Sequence, residues 1–291
     1  MKAACLTNRS ALITGASRGL GLATAVAFAR EGADLWLVGR ERTALVEAAA
    51  RVAAARSSPR QTISEHVVDV TDSTSMDAVV HGWLAAEASV HVLVNNAAVQ
   101  GPIGEVGATD WHAWRVALEI DLIAPVRLCH VVVPHMRAVG RGKIISVSGG
   151  GGTAARPRFS AYATAKCGLV RFSETLAAEL VGTGVDVNTV APGAMNTRML
   201  DAVLAAGEAA GAEHSRALSQ LQTGGVAPER SAELIVFLAS AESDGITGRL
   251  ISAEWDPWSN LPSRREDLDR SDVYTLRRIV PKDRGMTWGD T

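Results

Sequence analysis

Seven short runs rich in β-branched residues and leucine alternate with alanine-rich stretches from residue 10 to about residue 253. That rhythm constrains the chain more than any other feature. Strands that alternate with helices pair in parallel, and a parallel sheet needs helices on both faces to cover it. The strands are expected at Ser10–Thr14, Asp34–Val38, Ser64–Val68, Val90–Val94, Gly142–Val147, Val185–Val190 and Arg249–Ala253. Between the first two, Leu22, Ala25, Val26 and Ala29 recur at helical spacing before Gly32, which can close the helix in a left-handed conformation. The expectation is an α/β fold with a doubly wound parallel sheet of about seven strands.

The 291 residues suffice for one such domain, which commonly needs ~250. Residues 1–255 form that domain in this reading, interrupted by an alanine-rich stretch from Thr197 to about Gly225 that resembles a lid. The polar tail, residues 256–291, is an appended arm. Trp255, Trp258, Tyr274, Leu276, Ile279 and Trp288 are its candidate anchors, on its own body or on a neighbouring subunit. Covering the mouth of a site and stabilising a tetramer are the two roles open to it.

Hydrophobic residues make up 47% of the chain, yet no apolar run approaches the ~20 residues of a membrane span. A net charge of −2 offers no general attraction for nucleic acid or anionic lipid. The first residues contain no apolar core of signal-peptide length. Cys5, Cys129 and Cys167 are far apart and have no metal-ligand spacing, as expected of reduced thiols in a cytoplasmic protein without a metal. A small-molecule partner is the remaining class.

The first strand runs into Thr14-Gly15-Ala16-Ser17-Arg18-Gly19-Leu20-Gly21, and a helix follows at once. Glycines there tighten the turn and let backbone approach a pyrophosphate, which free N–H groups and the helix dipole attract. Gly15, Ser17, Arg18, Gly19, Leu20 and Gly21 are therefore candidate cofactor contacts. The second strand ends in Gly39-Arg40, where a carboxylate for a ribose diol would otherwise stand. Arg40, with Arg18, offers guanidinium groups to a 2′-phosphate and favours NADP(H), unless both are plain surface charges. Asp69 and Val70 end the third strand, where a carboxylate and an amide can meet an adenine; helix capping by Asp69 or Asp72 is the alternative. Asn95 and Ala97, after the fourth strand, are candidates for passing close to the cofactor ribose.

Tyr162 and Lys166 stand four residues apart, on one face of a helix. A nearby ammonium stabilises a phenolate and lowers the phenol's pKa from ~10, which suits proton exchange with an alcohol or carbonyl.

Taken in order, Thr14-Gly15, Gly19, Gly21, Asp69, Asn95-Asn96-Ala97, Tyr162, Lys166, Pro192-Gly193 and Thr197 resemble the short-chain dehydrogenase/reductase family over residues ~8–253. The resemblance implies a Rossmann-like sheet in the order 3-2-1-4-5-6-7, with NADP(H) bound across the carboxyl ends of the strands. It implies an oxidoreductase that interconverts a carbonyl and a secondary alcohol, and a homodimer or homotetramer. Tyr162 would protonate the carbonyl oxygen, Lys166 would hold the nicotinamide ribose, Thr197 would contact the carboxamide, and Pro192 and Gly193 would line the cofactor. Two positions depart from the family. Its serine, thirteen residues before the tyrosine, is Gly149 here; Ser148 is the expected substitute, provided its hydroxyl reaches the site rather than the sheet. Its asparagine is Asp121, which either strengthens attraction for Lys166 or satisfies backbone groups at a helix kink. These departures keep open a cofactor-binding sensor or scaffold with weakened chemistry; among enzymes the alternative is a redox-neutral epimerase or dehydratase that retains NADP. Pocket walls are expected at Val99–Val106, Gly149–Phe159 and Met195–Gly225, where Arg156 and Arg158 could hold an anionic group.

Overall fold

A computed structural model describes residues 4–86 and 90–288. All seven expected strands are present: β1 (Arg9–Thr14), β2 (Asp34–Gly39), β3 (Ile63–Val67), β4 (Val90–Asn95), β5 (Gly142–Val147), β6 (Val185–Ala191) and β7 (Leu250–Ser252). They pair in parallel throughout, in the order β3-β2-β1-β4-β5-β6-β7. The ends differ from expectation by one residue or none, which is the scatter expected where fraying ladders are read from propensity alone.

Because successive strand residues face opposite sides, each central strand feeds two cores. In β1, Ala11 and Ile13 join Phe28 of α1 (Gly19–Arg30), Val52 of α2 (Arg42–Ala54) and Leu234 and Leu238 of α9 (Pro228–Ala239). Leu12 instead joins Met76 and Val80 of α3 (Ser73–Leu84) and Leu128, Val132 and Met136 of α5 (Ala124–Val139). A third, smaller cluster joins Phe159 and Tyr162 to Leu200, Val203, Ala210 and Ala217. It packs α7 (Arg198–Ala206) and α8 (Ala212–Thr223), from the segment expected as a lid, against α6 (Ser160–Glu179).

Between α4 (Trp111–Leu118) and α5 the helix widens into a π segment, Glu119–Ile123. The reason is covalent. Pro125 has no N–H to return to the carbonyl of Asp121, and Ala124 N–H instead bonds Glu119 O, five residues back. The turn that carries Asp121 is thus set off from its neighbours by sequence.

The tail runs along the outer edge of β7. Leu250 N–H donates to Tyr274 O at 2.8 Å, and the Arg249 guanidinium bonds the carbonyls of Leu268, Ser271 and Val273. Leu261 and Leu268 are buried in the main core, and Trp258 packs on Phe237 with ring centroids 5.6 Å apart. Of the expected anchors, Trp258 and Tyr274 pack on the core, whereas Trp255, Ile279 and Trp288 are exposed. Leu261 and Leu268 were hidden from sequence reading by the charged residues around them.

Candidate active site

A cleft of about 980 Å³ opens along the carboxyl ends of the strands. Its floor begins at the turn after β1, where packing leaves no room for side chains: a Cβ on Gly21 would lie 2.2 Å from Gly15 O. No side chain caps the amino end of α1, so its first amides are left to a ligand. The turn is braced from β4. Thr14 Oγ1 accepts from Asn96 N and Ala97 N, each at 3.0 Å, and Asn96 Nδ2 donates to Thr14 O at 2.9 Å.

Gly15, Ser17, Arg18, Gly19, Leu20, Gly21, Arg40, Asp69, Val70, Ala97, Ser148, Tyr162, Lys166, Pro192, Gly193 and Thr197 all line this one cleft. Asn95 does not. Its side chain turns the other way, toward Ser146 Oγ at 3.4 Å and Cys129 Sγ at 3.7 Å, because the pleat places it on the α5 face of the sheet. Asn96, the next residue, is the one in the cleft; its signal was its position just beyond the strand. Thr197 caps the cleft from above, with its methyl 3.6 Å from where a Cβ on Gly19 would sit.

The charges at the adenosine end are partnered. Arg40 Nη1 lies 3.4 Å from Asp69 Oδ2, while Arg18 and Arg198 share Glu41 at 2.7 and 3.2 Å. Asp69 Oδ1 also accepts from the amide and hydroxyl of Thr71, and Asp72 caps α3 through Ser75 N–H. Glu41 and Arg198 carried no signal in sequence, since the two are joined only by folding.

At the other end Lys166 is almost wholly buried. Its Nζ donates to Val147 O at 2.9 Å, lies 3.7 Å from Asp121 Oδ2, and stands 5.7 Å from the centroid of the Tyr162 ring. The other oxygen of Asp121 accepts Val99 N–H at 2.8 Å, from the segment after β4. Burial lowers the Lys166 pKa and Asp121 opposes the change. Burial also raises Asp121, against the pull of Lys166. For the phenol the expected sign is reversed: burial raises the Tyr162 pKa, Asp121 adds to the rise, and Arg156 opposes it. At Tyr162, desolvation outweighs the nearby positive charge of Arg156.

The missing serine has a steric counterpart. A Cβ on Gly149 would lie 2.1 Å from Tyr162 Oη, so the phenol oxygen occupies the space of a side chain at that position. Ser148 Oγ is buried and has no hydrogen-bond partner among the described residues. It lies 2.4 Å from where a Cβ on Gly152 would be, so the glycine run accommodates it without engaging it with Tyr162. Of the two arginines expected at the pocket wall, Arg156 lines the cleft; Arg158 turns away to Glu105 at 3.1 Å.

A parallel sheet with a glycine turn at its crest, and a tyrosine and lysine from one helical turn at the far end of the same cleft, define a dinucleotide-dependent α/β enzyme. Residues 9–207 match the model of the short chain dehydrogenase family, and the chain belongs to that family. It is 32% identical over 254 residues to the 3-oxoacyl-acyl-carrier-protein reductase of Thermotoga maritima, covering 86% of this chain and 97% of that one. It is 34% identical over 247 residues to the cis-4-hydroxycyclohexanecarboxylate dehydrogenase of Sinomonas cyclohexanicum, covering 84% and 95%. Among solved structures, a putative NAD(P)-dependent gluconate 5-dehydrogenase from Beutenbergia cavernae superposes with a TM-score of 0.74 at 29% identity, covering 86% of this chain and 97% of that one. Levodione reductase gives 0.77 at 25%, covering 89% and 99%. The protein is an NAD(P)(H)-dependent oxidoreductase that acts on the carbonyl/alcohol pair of a small molecule.

Proposed function

We propose that this enzyme uses NADP(H), with Tyr162 as the acid and base and Lys166 as the group that holds the ribose and the phenol in register. The observation that carries the reading is the placement of Tyr162 and Lys166 in the same cleft as the uncapped amino end of α1. Gly21 and its neighbours fit a pyrophosphate, since any side chain there would fill the cradle. When bound, the nicotinamide supplies or accepts the hydride. Tyr162 Oη gives a proton to the carbonyl oxygen in reduction and takes it back in oxidation. Val147 O and Asp121 hold Lys166 Nζ in place, and Thr197, in the lid, would orient the ring.

The preference for the 2′-phosphate rests on charge. Three guanidinium groups, of Arg18, Arg40 and Arg198, face two carboxylates, of Glu41 and Asp69, and leave a net positive rim. Arg40→Asp is expected to weaken NADPH binding at least ~10-fold more than NADH binding, an estimate for one charge-assisted contact, as measured by calorimetry. Equal losses for the two cofactors overturn the preference. Tyr162→Phe is expected to abolish turnover while cofactor affinity changes little, and retained turnover removes Tyr162 from the chemistry.

The same reading makes the protein cytoplasmic, with three free thiols, and a homodimer or homotetramer. Exposed Trp111, stacked on Trp114 at 5.1 Å, and exposed Ile123 support the assembly, which sedimentation measures. Residues 1–255 act as the catalytic domain, with 197–225 as its lid and 256–291 as its extension.

A further inference from the structure

Arg156 is a cation that the chemistry above leaves without a task. It lines the cleft with its side chain only 14% exposed, and its guanidinium carbon lies 3.9 Å from the centroid of the Phe159 ring. It also lies 5.3 Å from the centroid of the Tyr162 ring, beside the proposed proton donor. Nη1 donates to Gln100 Oε1 at 3.2 Å, and Nε and Nη2 both donate to Glu213 Oε2, at 3.4 and 3.1 Å. Glu213 comes from α8, in the lid. Its other oxygen, Oε1, lies 3.1 Å from exposed Arg216. Two guanidiniums therefore share one carboxylate, and this corner of the cleft carries a net positive charge.

A desolvated guanidinium fixed by stacking loses little freedom on binding, and its planar fork matches a carboxylate. We propose that Arg156 is the specificity-determining residue of this enzyme and receives a carboxylate carried by the substrate, so that the substrates are oxo and hydroxy acids. Glu213 holds the place of that carboxylate, along the same Nε–Nη2 edge. When the substrate enters, Glu213 yields this edge and stays on Arg216. The ring separation sets the reach: the carboxylate lies a few bonds from the carbonyl that meets Tyr162. Leu200, Val203 and Ala217 supply apolar wall for the carbon skeleton between them. No covalent step is added. The proposal rests on the hydride-transfer reading for the carbonyl, but the anion subsite stands apart from it.

The test uses the full chain with NADPH, and 4-oxopentanoate and 5-oxohexanoate against their primary amides. The wild-type enzyme is expected to favour the acids by about 10–100-fold in kcat/KM, the range of one charge-assisted bidentate contact. Arg156→Gln is expected to bring that ratio close to one, and Arg156→Lys to leave it between the two. Glu213→Gln is expected to raise the ratio, an opposite sign that no folding defect produces. In parallel, calorimetry of the NADP-loaded protein compares unreactive pentanoate with pentanamide, with pentanoate binding expected only where Arg156 is present. Amides used as well as acids, or a preference that survives Arg156→Gln, overturn the proposal and leave the hydride-transfer reading intact. If none of the ketones is reduced, pentanoate binding that depends on Arg156 still upholds the subsite, its absence overturns it, and the hydride-transfer reading fails separately.

Discussion

Gly149 matters through the atom it lacks. The phenol oxygen of Tyr162 fills the space a Cβ would take there, so Gly149→Ala must push the phenol aside. It is expected to lower kcat by about 100-fold, the cost of misplacing a catalytic group by an ångström, with cofactor affinity little changed in a fluorescence titration. The phenol is further tuned by two charges of opposite sign, Asp121 raising its pKa and Arg156 lowering it. In the proposed mechanism alcohol oxidation needs phenolate as base, so its rate is expected to climb with pH until the phenol is ionised. Asp121→Asn removes a negative charge, favours phenolate, and is expected to move the rising limb to lower pH. Arg156→Gln removes a positive charge and moves it to higher pH. A pH–rate profile of each variant checks both signs.

Two elements act through backbone bonding. In the π segment, Pro125 removes an amide and so fixes where Asp121 sits beneath Lys166. In the tail, Tyr274 and the Arg249-bound carbonyls cover the edge of β7, a strand of three residues that would otherwise present open backbone groups. Among the described residues the lining of the cleft ends at Trp255, and residues 268–274 of the tail bond the edge of β7. Deleting residues 256–291 exposes Phe237 and the outer edge of β7, and is expected to lower the Tm and promote aggregation, as followed by calorimetry and light scattering. Arg277 and Val280 N–H hold the Asp283 carboxyl down to about 2, from 3.8. A depressed carboxyl contributes stability above its unfolded pKa and loses it as pH falls through the folded one. The Val280–Arg284 turn is therefore expected to loosen between about pH 4 and pH 2, seen as faster hydrogen exchange at Val280 N–H.

Across the whole molecule the sheet must also accommodate charge. Lys143 of β5 is buried and bonds Asp186 of β6 at 2.6 Å, with Asp244 at 2.8 Å, tying two strands to the turn after α9. Lys143→Met strands Asp186 and is expected to cost about 3–5 kcal/mol in urea denaturation, whereas replacing both by apolar residues recovers most of it. The sheet was legible in the sequence because parallel strands buried on both faces need continuous apolar runs, and helices between them need alanine and leucine at their own period. The glycine turn was legible too, since any side chain at Gly21 collides with backbone, and so was the Tyr162–Lys166 pair, since four residues make one helical turn. Which of Asn95 and Asn96 faces the cleft depended on the strand's pleat at its last residue. The sign of the Tyr162 shift depended on burial, which no spacing reports. Glu41 with Arg198, and Glu213 with Arg156, lie far apart in the chain and meet only when the segment 197–225 packs on the sheet and its helices. Local sequence thus determined the elements, their order and the residues each can present, because those follow from covalent geometry and short-range periodicity. The tertiary structure decided which of those residues share a low-dielectric space, because distance and desolvation between remote segments exist only once the chain has closed on itself.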